Sequence, residues 1–168
     1  MASSNCAMLQ KTWNNIHSDE CYTPFEAIEP ILEYLNKSKV YYECSSWISS
    51  NIIDYLRDNW YNIISSWDRD FLEDDIPEWI DIILTNPPYS KKDKFIERCY
   101  ELGYPFALLL PVSSIQWKKR GELFSKYWIE IGVLNKRIDF TNKWSPHFWV
   151  AWFCKNILPS KLLFFNNR

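Results

Sequence analysis

The chain has 168 residues, of which only three are glycine (Gly103, Gly121, Gly132), against 10 Trp, 10 Tyr and 10 Phe. Ordinary usage of roughly 7% would supply about twelve glycines, so neither a Walker-type phosphate loop nor a G-x-G-x-x-G turn can be built, and collagen-like or Gly/Ser-linker architectures are excluded. With 19 basic and 21 acidic side chains the net charge is −2 and 47% of residues are hydrophobic, so disorder is excluded and any attraction to nucleic acid must rest on a local patch.

Five cysteines (Cys6, Cys21, Cys44, Cys99, Cys154) are odd in number and widely spaced, with no C-x-x-C pair. They read as buried small hydrophobes of a reducing compartment, not as a disulfide framework or a metal site. No charged-then-apolar leader opens the sequence, and no apolar run approaches the ~20 residues of a membrane span. The expectation is a soluble, intracellular, single-domain protein with no membrane partner, its residues 1–18 flexible or accessory.

In chain order, Phe25, Ile28, Ile31, Leu32 and Leu35 fall at helical spacing, with Thr23 as N-cap and Pro24 at the first helical position. Pro30 within that stretch predicts a kinked or two-part helix. Val40–Glu43 predicts a short strand, 48–59 an amphipathic helix and 61–64 a second strand. The near-continuous apolar run 80–85 predicts a central parallel strand covered on both faces. Lys92–Leu102 predicts a helix with Phe95, Ile96, Cys99 and Leu102 on one side, stopped by Gly103. A strand over 106–110 is closed by Pro111; a helix follows near 120–126, then strands at 129–134, 137–140 and 148–153. This alternation predicts an α/β fold: a doubly wound, mainly parallel sheet with helices on both faces, finished by an antiparallel C-terminal hairpin.

The informative tetrapeptide is Asn86-Pro87-Pro88-Tyr89. Two prolines remove two backbone donors and fix φ, while Asn86, preceding proline, is pushed to an extended conformation. The result is a stiff turn presenting the Asn86 side-chain oxygen and the Pro87 carbonyl as acceptors, beside the aromatic face of Tyr89. It follows a predicted central strand, where open α/β sheets place ligands. Two acceptors suit an exocyclic amine on a planar base. Gripping its two hydrogens favours a pyramidal nitrogen with a lone pair available to attack, and Tyr89 stacks on the extruded base.

With these residues the span from Asp19 to about Leu158 resembles the small N6-adenine DNA methyltransferases of phages and large viruses, S-adenosylmethionine-dependent enzymes of the Rossmann-like class. The matches are Asp19-Glu20-Cys21-Tyr22-Thr23-Pro24, Asp70-Phe71-Leu72, Asp81, Thr85 through Ser90, and Lys92-Asp93-Lys94-Phe95. They continue in Pro105 through Pro111, Arg137-Ile138-Asp139-Phe140 and Ser145-Pro146-His147-Phe148. The resemblance implies a Rossmann-like methyltransferase fold. It implies that Tyr22, Thr23 and Pro24 help hold the amino-acid end of the cofactor, that Asp70 and Phe71 lie near its adenine, and that Asn86, Pro87, Pro88 and Tyr89 hold the target base. Glu43 supplies the acid at the end of the first strand, and Asp68 is the nearest candidate for the acid that binds ribose. The departure lies in the turn Glu43-Cys44-Ser45-Ser46-Trp47-Ile48-Ser49-Ser50, where Trp47 and Ser49 occupy places the family gives to glycine.

Lys91, Lys92 and Lys94 follow the tetrapeptide, and Lys118, Lys119 and Arg120 follow the next strand. Both sets can line the active edge and meet phosphates; the alternative is a solvated helix face offset by Asp93 and Glu97. Among Trp117, Trp128, Trp144, Trp149 and Trp152, most suit a core or interface, and Trp144, in a polar loop, is the preferred stacking platform. The reading is methylation of the N6 amine of adenine in DNA, with a short or lax sequence preference or a partner protein. Two alternatives stay open. One is an inactive relative serving as a binding or structural subunit, alone or as an oligomer. The other is methylation of RNA or of an amide nitrogen in a protein.

Overall fold

The computed structural model describes residues 22–46, 50–66, 68–140 and 149–165. In β3 (Ile82–Thr85) every residue is buried, and alternation sends neighbours to opposite faces. Ile82 and Leu84 enter one core with Tyr41, Ile63, Ala107 and Leu109. Ile83 enters the other, with Tyr42, Phe106, Leu108 and Leu110. These residues belong to β1 (Val40–Glu43), β2 (Asn62–Ser65) and β4 (Phe106–Pro111), which pair in parallel with β3 at the centre. With β5 (Glu130–Val133), β6 (Val150–Lys155) and β7 (Leu162–Phe164) they form one seven-stranded sheet in the order β2-β1-β3-β4-β6-β5-β7. β6 is antiparallel to both β4 and β5, while β7 pairs in parallel with β5. Among the described residues six strands therefore run one way and β6 is reversed, a Rossmann-like α/β architecture with an antiparallel C-terminal pair.

Helices cover both faces. α1 (Phe25–Leu32) and α2 (Asn51–Asp58) bury Ala27, Ile28, Ile31, Ile52, Ile53 and Leu56 on one side. α3 (Lys92–Leu102) and α4 (Lys118–Tyr127) cover the other, with Phe95, Ile96, Cys99 and Tyr100 from α3 packed by Leu123 and Phe124 of α4. Each fully buried Ile contributes about 1.5–3 kcal/mol, so α1 is held mainly by Ile28, Ile31 and one polar pin, the Trp152 indole N–H donating 2.8 Å to the Ala27 carbonyl.

Several expectations are revised. α1 begins one residue later than its sequence suggests: Pro24 is the N-cap and Thr23 makes no cap bond, because its hydroxyl is used elsewhere. Pro30 lies inside α1 without dividing it; it removes one i→i−4 bond, which tertiary packing of the buried face offsets. Residues 137–140 form no strand. Ile138 and Phe140 alternate because both drop into the α1/α2 core from a loop, and burial, not ladder pairing, produces the period of two. β7 was not predicted at all. By contrast, α3 runs as expected from Lys92 to Leu102 and stops at Gly103, whose φ of 77° is left-handed. Cys44, Cys99 and Cys154 are free and buried; Cys6 and Cys21 lie outside the described residues. Among the described residues no helix is long and apolar enough to cross a membrane.

Candidate functional site

From β1 the chain crosses outward to β2, and from β3 outward to β4, so the carboxyl ends of β1 and β3 open onto loops that leave in opposite directions. Open α/β sheets form their ligand crevice at such a switch point. Here it brings Glu43 and Ser45 after β1 beside Thr85 and Asn86 at the end of β3.

Hydroxyl groups close the β1 side. Glu43 is 1% exposed. Its Oε1 accepts from the Ser45 N–H at 3.1 Å and the Ser45 hydroxyl at 3.0 Å, and from the Thr85 hydroxyl. Its Oε2 accepts from the Ser50 hydroxyl at 3.3 Å. Burial pushes the carboxyl above its usual range, and the bonds from Thr85, Ser45 and Ser50 partly oppose that rise. Glu43 was expected to offer its acid to a cofactor; instead both oxygens are turned inward. The Ser45 hydroxyl also sits 2.6 Å from Thr85 Oγ1 and 3.0 Å from the Asn86 carbonyl, bridging the crevice. Ser45 and Thr85 were not among the predicted site residues. Their signal was a hydroxyl at each of two strand ends, which means little until topology makes the strands neighbours.

Asn86 is held from the other side as well. Its side-chain N–H donates to Thr23 Oγ1 at 3.0 Å. Thr23 is 5% exposed and its carbonyl accepts from the Asn51 side chain at 2.9 Å. The Asn86 Oδ1 is buried and receives no hydrogen bond among the described residues, an omission that costs about 1–3 kcal/mol. Pro87 is buried and Pro88 half-buried, leading into a single 3-10 turn over Tyr89–Lys91. Tyr89 packs against both cores at the end of the sheet.

The residues assigned to a cofactor divide. Tyr22 is exposed and Pro24 half-buried beside Thr23. Asp68 is exposed just beyond β2. Asp70 is exposed, but its Oδ1 accepts from the Leu72 N–H at 2.9 Å within its own turn. Phe71 is buried at 2% exposure and packs on Phe95 at 5.0 Å between ring centres, so its ring belongs to the core and not to a surface that meets a ligand. Of the residues assigned to S-adenosylmethionine, Asp68 leaves its carboxylate exposed whereas Glu43 and Phe71 are buried, a set that suits the cofactor only in part. Trp47 and Ser49 lie outside the described residues.

The two lysine clusters meet because α3 and α4 share one face of the sheet. Lys91, Lys94, Lys118 and Lys119 are exposed. Lys94 and Lys119 line one cleft of about 220 Å³ with Trp117 and with Asp93 and Glu97, so the acids that offset this face stand in the same cleft as the lysines. Lys92 is half-buried and donates 3.0 Å to the Tyr89 carbonyl. Arg120 corrects the expectation: it is 6% exposed, paired with Asp93 and donating to the Gln116 carbonyl, with its guanidinium over the Trp117 ring at 5.0 Å. It ties α4 to α3 and is not presented to a phosphate. Trp144 lies outside the described residues; Trp117, at 59% exposure, is the exposed indole that the fold brings beside the lysines.

No protein-family model and no curated protein matches the chain. Among solved structures, it is similar to one described as a "putative RNA methyltransferase" from Pyrococcus horikoshii. The identity is 13% over 81% of this chain and 83% of that chain, with a TM-score of 0.49.

Proposed function

We propose that the chain transfers a methyl group to the exocyclic N6 amine of adenine in DNA, with S-adenosylmethionine as donor. The observation that carries the reading is the Asn86 amide: its N–H end is tied to Thr23 while its oxygen is buried without a donor, on a proline-stiffened turn at the switch point of the sheet. An amine hydrogen supplies the missing donor. An amine nitrogen conjugated to a ring is a weak nucleophile, and an acceptor on each hydrogen shifts electron density back onto it. Asn86 Oδ1 takes one hydrogen, and the Pro87 carbonyl is the second acceptor. Tyr89 offers a ring for the extruded base. The cofactor, when bound, supplies an electrophilic methyl group, with Asp68 and the Tyr22–Pro24 segment as its holders. Lys91, Lys94, Lys118, Lys119 and Trp117 form the surface for the flanking strand.

The test is radiolabel incorporation from S-adenosylmethionine into duplex DNA, single-stranded DNA, RNA and protein. Wild-type chain is expected to label DNA, and Asn86→Ala to lose at least about 100-fold in rate, the order seen when a positioned polar group at a reacting centre is removed. Label in RNA or protein alone would move the substrate and keep the chemistry; an unchanged Asn86→Ala rate would remove the assignment.

A second reading, a non-catalytic subunit, is favoured by one observation: Glu43 is sealed by Ser45, Ser50 and Thr85. Calorimetric titration with S-adenosylmethionine separates the two. Micromolar binding supports the enzyme, and no heat at millimolar ligand supports the subunit.

A further inference from the structure

We propose that the cleft between α3 and α4 is a subsite for one unstacked nucleobase of the bound strand, seated on the outer face of the Trp117 indole and read through its exocyclic amine by Glu97. That the partner is a nucleic acid rests on the functional reading above; the fixation and charge of the cleft rest on geometry.

A stacking platform needs an exposed ring that is held in place. The Trp117 indole is 59% exposed and lines the cleft of about 220 Å³. On its inner side lies the Arg120 guanidinium, 5.0 Å from the ring centre. Arg120 is buried and fixed by Asp93 and the Gln116 carbonyl, so the ring rests on a rigid base. The negative π-face on that side is thus already engaged by a cation. A second cation on the outer face would be repelled by the first, whereas a neutral planar base stacks there without that penalty. This favours a base over the lysine or arginine of a protein partner.

The charged groups of the cleft match the rest of a nucleotide. Asp93 is committed to Arg120. Lys94 and Lys119 are exposed and Glu97 is half-buried, and among the described residues none of the three is in an ion pair. Two lysines against one carboxylate leave one positive charge, the complement of the single negative charge that each nucleotide carries in a strand. A site for phosphate alone gains nothing from Glu97, whose carboxylate repels it. Beside a base the carboxylate has a use. It accepts only, so it takes the N–H of an exocyclic amine such as that of cytosine. Thymine shows a single N–H between two acceptor oxygens, which the carboxylate repels. Asp93 and Lys94 lie in the first turn of α3, which follows Tyr89–Lys91 directly. A base in this cleft therefore belongs to the same strand as the base offered to Asn86.

The experiment measures binding of fluorescein-labelled oligo-dC and oligo-dT single strands of about 12 nucleotides to the full-length chain, by fluorescence anisotropy over a series of salt concentrations. Wild type is compared with Trp117→Ala, Trp117→Phe and Glu97→Gln. Expected in Trp117→Ala is at least about a fivefold loss of affinity for both strands, the low end for one stacked base. The slope of log affinity against log salt is expected to stay the same, because no phosphate contact is removed. Trp117→Phe keeps a ring and is expected to recover most of the loss. Wild type is expected to prefer oligo-dC, and Glu97→Gln to narrow that preference by at least about threefold, the scale of one hydrogen bond. Unchanged affinity in Trp117→Ala overturns the proposal, as does a loss accompanied by a shallower salt slope or a preference that Glu97→Gln leaves intact. A wild type that binds neither strand overturns it too. Should Trp117→Ala fail to give a cooperative melt, Trp117→Leu takes its place, covering Arg120 without a ring. A wild type that shows these binding effects and transfers no methyl group refutes the functional reading and leaves the cleft standing. Methyl transfer with strand binding indifferent to Trp117 does the reverse.

Discussion

At the scale of single residues, Glu43 shows how far burial changes what a side chain does. The sequence marks it as an acid at a strand end, and the fold encloses it among hydroxyls. Its carboxyl value is raised by desolvation above the ordinary 4.5. Below that pH the folded and unfolded chains both hold the proton, and burial costs nothing electrostatic. As pH rises past 4.5 the unfolded chain releases its proton while the folded one keeps it, so the Glu43 contribution to stability falls until the raised folded value is passed. Glu43→Gln removes the titration. Its urea midpoint relative to wild type is therefore expected to move in its favour between pH 4.5 and pH 8, and a difference constant over that range refutes the assignment. Asn86 was legible in the sequence because Pro87 and Pro88 constrain it locally. The inward turn of Glu43, the core position of Phe71 and the pairing of Arg120 with Asp93 were not, because each depends on a partner from another element.

At the scale of elements, the glycine shortage reappears as backbone strain. α2 ends with the Tyr61 N–H bonded to the Leu56 carbonyl at 2.9 Å and the Trp60 N–H to the Arg57 carbonyl at 3.0 Å. This is the double bond pattern that calls for a left-handed residue, ordinarily glycine. Trp60 fills the position with φ at 66°. The left-handed conformation costs a residue with Cβ about 1–2 kcal/mol, and Trp60, 84% exposed, recovers little by burial. Trp60→Gly is expected to stabilise the chain by about 0.5–1 kcal/mol after the added unfolded-state entropy of glycine is subtracted. For a chain of this size that raises the thermal midpoint by about 1–4 °C; a lower midpoint refutes the strain. Trp128, after α4, also has a positive φ of 75°, but with ψ at 149° it is extended and not left-handed helical. Most strands and helices were legible because their burial is periodic. β7 was not: three residues long, with Leu162 and Phe164 exposed, it has no amphipathic signature and exists through its pairing with β5.

At the scale of the whole molecule, the reversed strand β6 enters between β4 and β5 and separates two elements that α4 connects. That insertion draws the C-terminal segment over the sheet. Phe165 is buried, and its N–H bonds the Val133 carbonyl at 3.0 Å. Its ring lies over Gly132, where a Cβ would stand 2.4 Å from Phe165 Cζ and 3.2 Å from Leu158 Cδ1. Glu130 secures the same region, its carboxylate accepting from the N–H groups of Asn156, Ile157 and Leu158 at 3.0, 3.0 and 2.8 Å. Gly132→Ala is expected to destabilise the fold by about 1–3 kcal/mol, read from urea unfolding, and pairing it with Phe165→Leu is expected to recover part of that loss. An unaffected single variant refutes the close packing.

What the sequence determined by itself follows from interactions between near neighbours. Apolar period, proline constraint and glycine supply act over a few residues, and they sufficed for the α/β class, the central strand and the Asn86–Tyr89 turn. Only the tertiary structure decided what those residues meet. Thr23 and Asn86 are 63 positions apart and Ser45 and Asn86 are 41 apart. Their hydrogen bonds arise because β3 lies beside β1 and not beside β2. The glycine shortage excluded phosphate loops at the outset; the fold shows where its cost falls, on tryptophan at a helix end, while Gly132 is kept where an aromatic ring leaves no room for a Cβ.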